Sequence, residues 1–308
     1  MLVSVILPAY NAEKTIGETI ESILQQTFSD FEFIIINDGS TDRTEEAVLS
    51  YKDERIKYYA NDTNKGLIYT LNKGLSLAKG KYIARMDADD IALPERFEKQ
   101  IQILENNPSI IVCGSLIKEF GNKPKHPFVA PEKSENIKNL LIRQNCIAHP
   151  STMIRKNILE EHNIQYDKEY IHAEDYNLWI DLSDLGDFYN IQETLLLYRI
   201  SDVQISQVAK QKQHDVANLC RRKYIYNLLK KNNFKDNIQW ENIDASTIKK
   251  IKQCNVPKEM LEVFYLSLSK HRIRELLYFI FSGDFAKISF KTDLAILRRF
   301  VQKRETLL

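Results

Sequence analysis

The chain lacks the signatures of several common protein classes. It has four cysteines among 308 residues, and the two nearest, Cys113 and Cys146, stand 33 positions apart (146 − 113). No Cys-x-x-Cys pair occurs, so a zinc site or a disulfide framework is not expected and a reducing compartment is favoured. The longest aromatic and aliphatic run, Leu276 to Phe281, is far too short to span a bilayer. The apolar start at Leu2 has no preceding basic segment and indicates a first strand, not a signal peptide.

Glycine is also scarce. Only nine glycines occur, and none lies in a G-x-G-x-x-G or G-x-x-x-x-G-K-[ST] motif. A nucleotide, if the chain binds one, must therefore have its phosphates held by something other than a glycine-rich loop.

The net charge of +1 is the sum of two opposite parts. Residues 1–208 carry 22 basic and 32 acidic side chains (22 − 32 = −10), and residues 209–308 carry 21 and 10 (21 − 10 = +11). Charge asymmetry of this kind indicates that the two parts meet different partners. At 44% hydrophobic and 28% charged, the composition is that of a globular protein of one large or two modest domains.

The first two thirds of the chain alternate strand and helix patterns. Strands are predicted over residues 2–9, 31–36, 55–59, 82–86 and 110–117, with an amphipathic helix between each strand and the next. This order predicts an α/β fold with a mostly parallel sheet flanked by helices. In such folds ligands bind at the carboxyl ends of the strands.

The remainder is less regular. Residues 118–148, which contain three prolines, are expected to be an irregular excursion, followed by a strand at 149–155, a helix at 175–185 and a strand at 195–200. Beyond Val208 the pattern becomes helical and basic. We therefore expect a catalytic-type α/β domain over 1–208 and a basic helical C-terminal region over 209–308.

Three acidic positions fall at predicted strand or loop ends. Asp38 follows Ile34-Ile35-Ile36, where a carboxylate can accept a hydrogen bond from a base N–H such as that of uracil, or can simply form an Asx turn or helix cap.

The segment Asp87-Ala88-Asp89-Asp90 follows the strand at 82–86. Its carboxylates repel one another unless a cation lies among them, and Mg²⁺ or Mn²⁺ prefers such oxygens. The alternative is an acidic helix start ahead of Pro94. Glu174-Asp175, taken alone, is most simply a helix cap.

Together these motifs resemble family 2 glycosyltransferases. The motifs, in the order that the family shows, are Val3-Ser4-Val5-Ile6-Leu7-Pro8-Ala9-Tyr10-Asn11, Asn37-Asp38-Gly39-Ser40-Thr41-Asp42, Asn64-Lys65-Gly66, Asp87-Ala88-Asp89-Asp90 and Glu174-Asp175. The resemblance covers about residues 1–206 and implies a GT-A fold that uses a nucleotide-diphosphate sugar, here a UDP-sugar, with Mn²⁺ or Mg²⁺. Residues 209–308 lie outside it.

The resemblance also implies a role for each position. Pro8, Ala9 and Tyr10 would line the base pocket, with the Tyr10 ring on the uracil, and Asp38 would accept from the uracil. Asn64 belongs to the nucleotide-binding set. Asp87 would approach the ribose, Asp89 would hold the metal that bridges the diphosphate, and Asp175 would be the general base of a single, inverting displacement.

The chain departs from the family pattern at one position. Ser201 stands where the family often has a His that helps to bind the metal or diphosphate. Asp202 or water could replace that ligand.

Other residues allow two interpretations. For His149 a satisfied structural histidine is favoured over a sugar contact, and Trp179 is expected to pack behind Asp175. The basic C-terminal region, where Leu294, Leu297 and Val301 share a helical face beside Arg298 and Lys303, could lie on an anionic membrane or pack on protein.

The resemblance predicts a hexosyltransferase acting on a lipid-linked or cell-surface glycan in a bacterial cell envelope. We expect it to be cytoplasmic and to have no nucleic-acid partner. The basic C-terminal region could place it at the inner face of the membrane, and the sequence does not decide between a monomer and an oligomer. Two other functions remain: a nucleotide-binding scaffold without catalysis, and a sugar nucleotidyltransferase, which would need a glycine-rich basic loop where the chain has Tyr10-Asn11-Ala12-Glu13.

Overall fold

The computed structural model describes residues 1–121, 128, 130–201, 210–235 and nine single positions between 238 and 260. Two units divide the chain, one from Met1 to Arg221 and the other from Arg222 to Leu308. The boundary expected near residue 208, Asp202, and the helical face expected around residues 294–303 lie outside the described residues.

One mixed sheet organises the first unit. In the described part of the chain it has eight strands: β1 Val3–Ala9, β2 Phe31–Asn37, β3 Ile56–Ala60, β4 Tyr82–Arg85, β5 Ile91–Ala92, β6 Ile110–Gly121, β7 Met153–Arg155 and β8 Asp187–Ile200. The strand order is β3-β2-β1-β4-β7-β6-β8-β5. Four neighbouring pairs are parallel: β1 with β2, β2 with β3, β1 with β4, and β6 with β8. The other three pairs are antiparallel: β4 with β7, β6 with β7, and β5 with β8.

Eight α-helices occur within the described ranges, and the last of them follows the final strand. They are α1 Ile16–Leu24, α2 Thr44–Leu49, α3 Leu67–Leu77, α4 Arg96–Asn106, α5 Ser134–Leu141, α6 Lys156–Glu161, α7 Glu174–Leu182 and α8 Lys210–Lys231. None of the described helices is long and apolar enough to cross a membrane. The predicted class, an α/β sheet flanked by helices, is confirmed.

The hydrophobic core follows the strand and helix periodicities. Strand β2 is buried along its whole length, as its run of aromatic and β-branched residues predicts. Ile16, Ile20 and Ile23 of α1 are fully buried on the face that packs on the sheet. The parallel arrangement of β1, β2 and β4 brings their carboxyl ends to one edge.

The expectation of an irregular 118–148 segment is wrong in part. Strand β6 continues to Gly121, and α5 forms beyond Pro131 because Ile137 and Leu141, one turn apart, are both fully buried. His149–Ser151 is a short 3₁₀ turn, and the strand starts at Met153.

Strand β8 begins eight residues earlier than predicted, at Asp187 instead of residue 195. The polar residues at its start do not predict a strand. In the structure the Asn190 side chain is buried and donates to the carbonyls of Pro131 (2.9 Å) and Cys146 (3.2 Å).

The turn from α3 into β4 is fixed by buried polar contacts. The Ser4 hydroxyl donates to Glu32 Oε1 at 2.6 Å and accepts from the Gly80 N–H at 2.8 Å, while the Lys79 N–H donates to the same Glu32 oxygen at 2.8 Å. The backbone of Gly80 therefore lies directly against β1. A Cβ at Gly80 would be 2.6 Å from the Ser4 nitrogen and 2.7 Å from the Val3 carbonyl carbon.

We expect Gly80→Ala to destabilise the protein by about 1–3 kcal/mol, because the atoms that the new methyl group would meet are backbone atoms of a central strand. Gly17→Ala is the matched control: in α1 the added Cβ meets only the Tyr51 hydroxyl, at 3.4 Å, an ordinary contact. That variant should be neutral or stabilising by up to about 1 kcal/mol. Chemical denaturation of the three proteins measures both effects, and equal midpoints for Gly80→Ala and the wild type would contradict the packing described.

Candidate functional site

A large cleft opens at the edge of the sheet where β1, β2 and β4 end. All eight residues that the sequence predicts for the site line it: Pro8, Ala9, Tyr10, Asp38, Asn64, Asp87, Asp89 and Asp175. They come from five separate parts of the chain. The fold therefore brings together the motifs that are far apart in sequence.

The loops after β1 and β2 are joined by hydrogen bonds. Asn11, in the left-handed region at φ 48°, donates its N–H to Ser40 Oγ (3.0 Å) and accepts from the Thr41 N–H (2.9 Å). The Ala12 N–H donates to Thr44 Oγ1 at 2.7 Å. These bonds fix the lip of the cleft, where the Tyr10 side chain is 48% exposed.

Asp38 holds a loop. Its carboxylate is buried and accepts from Asn61 Nδ2 (2.7 Å) and from the N–H groups of Lys65 and Gly66 (both 2.9 Å). These partners lie 23 to 28 positions further along the chain, so Asp38 forms neither a local Asx turn nor the cap of its own helix. A carboxylate offers about four lone-pair sites, so one remains for a nucleobase N–H. Asn64, on the same loop, accepts from the Gly66 N–H at 3.0 Å.

The acidic segment after β4 is held by its backbone carbonyls. Thr15 Oγ1 donates to the Ala88 carbonyl (3.0 Å), Thr19 Oγ1 to that of Asp90 (2.8 Å) and Arg199 Nε to that of Asp89 (2.7 Å). The Arg199 N–H also donates to Asp90 Oδ1 at 2.8 Å. Strand β8 and helix α1 thus fix the segment without using the carboxylates of Asp87 and Asp89.

The three carboxylates of this segment are crowded. One oxygen each of Asp87, Asp89 and Asp90 lies within 4.8 Å of the others. Burial, and then Asp87, raises the pKa of Asp89 to about 6, and the same two causes raise the pKa of Asp90 well above its ordinary value. The buried Asp90 Oδ2 has no hydrogen-bond partner among the described residues. This set is short of positive charge, and its oxygens are those that Mg²⁺ or Mn²⁺ prefers, so a divalent cation fits here.

Arg85, to which sequence reasoning gave no role, lies at the floor of the cleft. It is the last residue of β4, its side chain is 5% exposed, and its Nη1 forms an ion pair with the Asp87 carboxylate. Beneath it the fully buried Arg96 donates from Nη2 to the Arg85 carbonyl at 2.8 Å. Burial, and then the charge of Arg85, lowers the pKa of Arg96 to about 9. A charged residue inside an otherwise apolar strand pattern was the available signal.

Asp175 lies in the first turn of α7. Its Oδ2 accepts from Asn145 Nδ2 and its Oδ1 from the Tyr176 N–H, both at 2.7 Å. Burial raises the pKa of Asp175, and these bonds, together with the charge of Arg85, partly offset that effect. The adjacent Glu174 is buried, and burial followed by the charge of Asp175 raises its pKa to about 7. Asn145 was not predicted, because it lies in the segment expected to be irregular.

Helix α8 secures the segments that carry these groups. Arg221 Nη1 donates to the Arg143 carbonyl at 2.8 Å, and Gln213 Nε2 donates to the His172 carbonyl at 3.2 Å. The first turns of the basic C-terminal region therefore hold the segments of Asn145 and Asp175 in place.

His149 and Trp179 are packing residues, as expected. His149 Nε2 lies 2.7 Å from the Tyr166 hydroxyl, and its ring centroid lies 5.9 Å from that of the fully buried Trp179. Burial lowers the pKa of His149 well below its ordinary value, so the ring is neutral. Asn72 exchanges two hydrogen bonds with the backbone of Tyr166.

Ser201, at the end of β8, lines the same cleft as Asp89. The position that departs from the family pattern therefore opens on the same cleft, two residues after Arg199, which contacts the acidic segment.

Known proteins with similar sequences and folds share this architecture. A family model described as glycosyl transferase family 2 matches residues 4–162. An uncharacterized glycosyltransferase of Haemophilus influenzae is 38% identical over 98% of this chain and 97% of its own length. The Escherichia coli UDP-Glc:alpha-D-GlcNAc-diphosphoundecaprenol beta-1,3-glucosyltransferase WfgD is 35% identical over 59% of this chain and 69% of its own.

Solved structures show the same fold. Residues 1–349 of Staphylococcus aureus TarS, crystallised with UDP, align with a TM-score of 0.63 at 19% identity, covering 95% of this chain and 77% of that one. The match to the family model, the relatives and the arrangement of the sheet agree: this chain is a glycosyltransferase of family 2 with a GT-A-type fold.

Proposed function

We propose that this protein is an inverting, metal-dependent glycosyltransferase that moves a sugar from a UDP-sugar to an acceptor hydroxyl. One observation carries the proposal: Asp87 and Asp89, at the end of β4, line the same cleft as Asp175, which comes from α7. A site for a diphosphate and a site for a general base thereby open on one space.

The nucleotide would bind over the joined loops after β1 and β2. Pro8, Ala9 and the half-exposed ring of Tyr10 offer an apolar surface for the uracil, and Asp38 has lone-pair capacity for its N–H. Asn64 borders the same part of the cleft, and Asp87 would approach the ribose.

The diphosphate would lie against the acidic segment. Asp89 would hold Mn²⁺ or Mg²⁺ there, with Asp90 as the adjacent carboxylate. Ser201, or Asp202 next to it in the sequence, would supply a further oxygen ligand. The metal, when bound, would neutralise the charge that develops on the departing nucleoside diphosphate. The hydrogen bonds from Thr15, Thr19 and Arg199 keep the segment in position for this.

Asp175 would act as the general base. It removes the proton of the acceptor hydroxyl as that oxygen attacks the anomeric carbon from the face opposite the leaving diphosphate. Asn145 and the Tyr176 N–H fix both carboxylate oxygens of Asp175 and favour its charged form. A single displacement turns an α-linked donor into a β-linked product.

The acceptor class is suggested by a relative. The name of WfgD gives a UDP-linked glucose donor, a diphosphoundecaprenol-linked acceptor and a β linkage. We extend the proposal to a lipid-linked glycan acceptor in cell-envelope polysaccharide assembly, with the basic C-terminal region meeting an anionic membrane surface. Cations near such a surface contribute roughly 1 kcal/mol each.

We expect Asp89→Ala to abolish Mn²⁺-dependent UDP release from UDP-sugars. Asp175→Asn should lower it about a hundredfold or more while leaving UDP affinity unchanged, because only the proton transfer is lost. A screen of UDP-sugars for UDP release, with calorimetry of UDP, measures both effects. Asp30→Asn is the control, since this exposed carboxylate lies just before β2, at the other end of that strand. Wild-type turnover by both site variants would refute the assignment.

The activity of the proposed transferase should depend on pH through Asp175. Because protonated Asp175 cannot accept a proton, activity should rise as pH increases through the pKa of that carboxyl. The Asn145 bond favours the charged form, so Asn145→Ala should raise this pKa and move the acid limb of kcat/KM upward by about one pH unit. Asn157→Ala, which removes an exposed amide on α6, should leave the limb in place. If the acid limb of kcat/KM does not shift in Asn145→Ala, Asn145 does not stabilise the charged form of Asp175.

A further inference from the structure

The backbone of Arg85 is fixed on both sides. Its N–H donates to the Thr152 carbonyl at 3.0 Å, and its own carbonyl accepts from Arg96 Nη2 at 2.8 Å. The side chain is only 5% exposed, yet Arg85 belongs to the lining of the cleft. The guanidinium therefore lies at the floor of the site in a position that the surrounding sheet determines.

The hydrogen-bonding capacity of this guanidinium is not filled by the protein. Nη1 lies against the Asp87 carboxylate, and Nε is enclosed without a hydrogen-bond partner among the described residues. Nη2 also has no hydrogen-bond partner among the described residues, but it is not one of the enclosed atoms. Because Arg85 lines the cleft, Nη2 is the donor that an acceptor oxygen of a bound ligand can reach.

Arg85 lines the cleft together with two groups of carboxylates. Its guanidinium contacts Asp87 of the acidic segment, and Glu174 and Asp175 line the same cleft. In the proposed reaction the leaving diphosphate lies at the first group and the attacking hydroxyl at the second, so the donor sugar must occupy the interval between them.

We propose that Arg85 binds the donor sugar, donating a hydrogen bond from its guanidinium to a hydroxyl oxygen of the hexose, and helps to select which sugar is used. The inference rests on the proposed function and adds a residue to it. A neutral hydroxyl suits this position, since the neighbouring carboxylates already supply negative charge. Two other roles make different predictions: Arg85 as a counter-ion of Asp87 only, and Arg85 as a ligand of the diphosphate.

The test compares affinity for UDP with affinity for UDP-sugars in Arg85→Lys. Lysine keeps the charge and can still reach Asp87, but it lacks the Nε–H and the planar group. Calorimetry with Mn²⁺ uses UDP, UDP-glucose, UDP-galactose and UDP-N-acetylglucosamine, and the sugar that the wild type binds most tightly is carried forward. We expect UDP affinity to stay within about twofold and affinity for that UDP-sugar to fall about tenfold to a hundredfold.

Equal losses for UDP and the UDP-sugar would overturn the proposal, because Arg85 would then act through Asp87 or the diphosphate. Unchanged affinity for both would overturn it as well. Arg155→Lys is the matched control. Arg155 pairs with Tyr82 at the opposite end of β4, and its side chain donates to the carbonyl of Ile110 and the hydroxyl of Tyr82. It should lose stability without changing the ratio of the two affinities.

A second arm needs no variant. Wild-type protein is titrated with mono-deoxy analogues of the selected UDP-sugar, and one of them should bind about tenfold or more weakly than its parent. In Arg85→Lys, where it folds, that analogue and its parent should bind equally. If no deoxy analogue is weakened, or no UDP-sugar binds more tightly than UDP, the sugar contact does not exist. If the wild type binds neither UDP nor any UDP-sugar, the proposed function itself has failed.

Discussion

Four carboxylates line the cleft together with the buried guanidinium of Arg85: those of Asp87, Asp89, Glu174 and Asp175. A fifth, that of Asp90, is fully buried beside Asp87 and Asp89. Burial raises the pKa of four of them, Asp89, Asp90, Glu174 and Asp175, and Arg85 lowers each of those pKa values in part. A site with this excess of negative charge repels a free diphosphate, and a cation brought with or before the nucleotide removes the repulsion. Burial raises the pKa of Asp175, which in the proposed mechanism favours its taking a proton from a hydroxyl.

The sheet turns this charge into an arranged site. Parallel pairing of β1 with β2 and β4 places the nucleotide loops and the acidic segment at one edge. The acidic segment is held by its carbonyls, which leaves the Asp87 and Asp89 carboxylates for the cleft. On the other side, Asn145 and helix α8 hold the segments that present Asp175. The acidic segment and the segment of Asp175 are thus each held by hydrogen bonds, and both line the cleft in which a donor sugar would lie.

Local patterns made the strands and the acidic positions predictable. An unbroken apolar run such as Phe31–Ile36 and the order of the short motifs sufficed for the α/β class and for the residues that line the cleft. Asn145 and α5 were missed because their burial depends on contacts with distant elements that no local period records. Arg85 was missed for a related reason: Glu174 and Asp175, which line the cleft with it, are far from it in sequence. Asp38 shows a third limit, since its carboxylate holds the distant loop of Lys65 and Gly66 and still lines the cleft.

The central claim is that the diphosphate site and the base act from opposite faces of the donor sugar. The anomeric configuration of the product tests it most directly. An α-linked UDP-sugar is incubated with the protein, Mn²⁺ and a diphospholipid-linked N-acetylglucosamine acceptor, and the new linkage is assigned by proton NMR. A single displacement by the acceptor hydroxyl, with Asp175 as its base, predicts a β linkage in all of the product. An α linkage would contradict the arrangement, because it requires retention and therefore a different chemistry in this cleft.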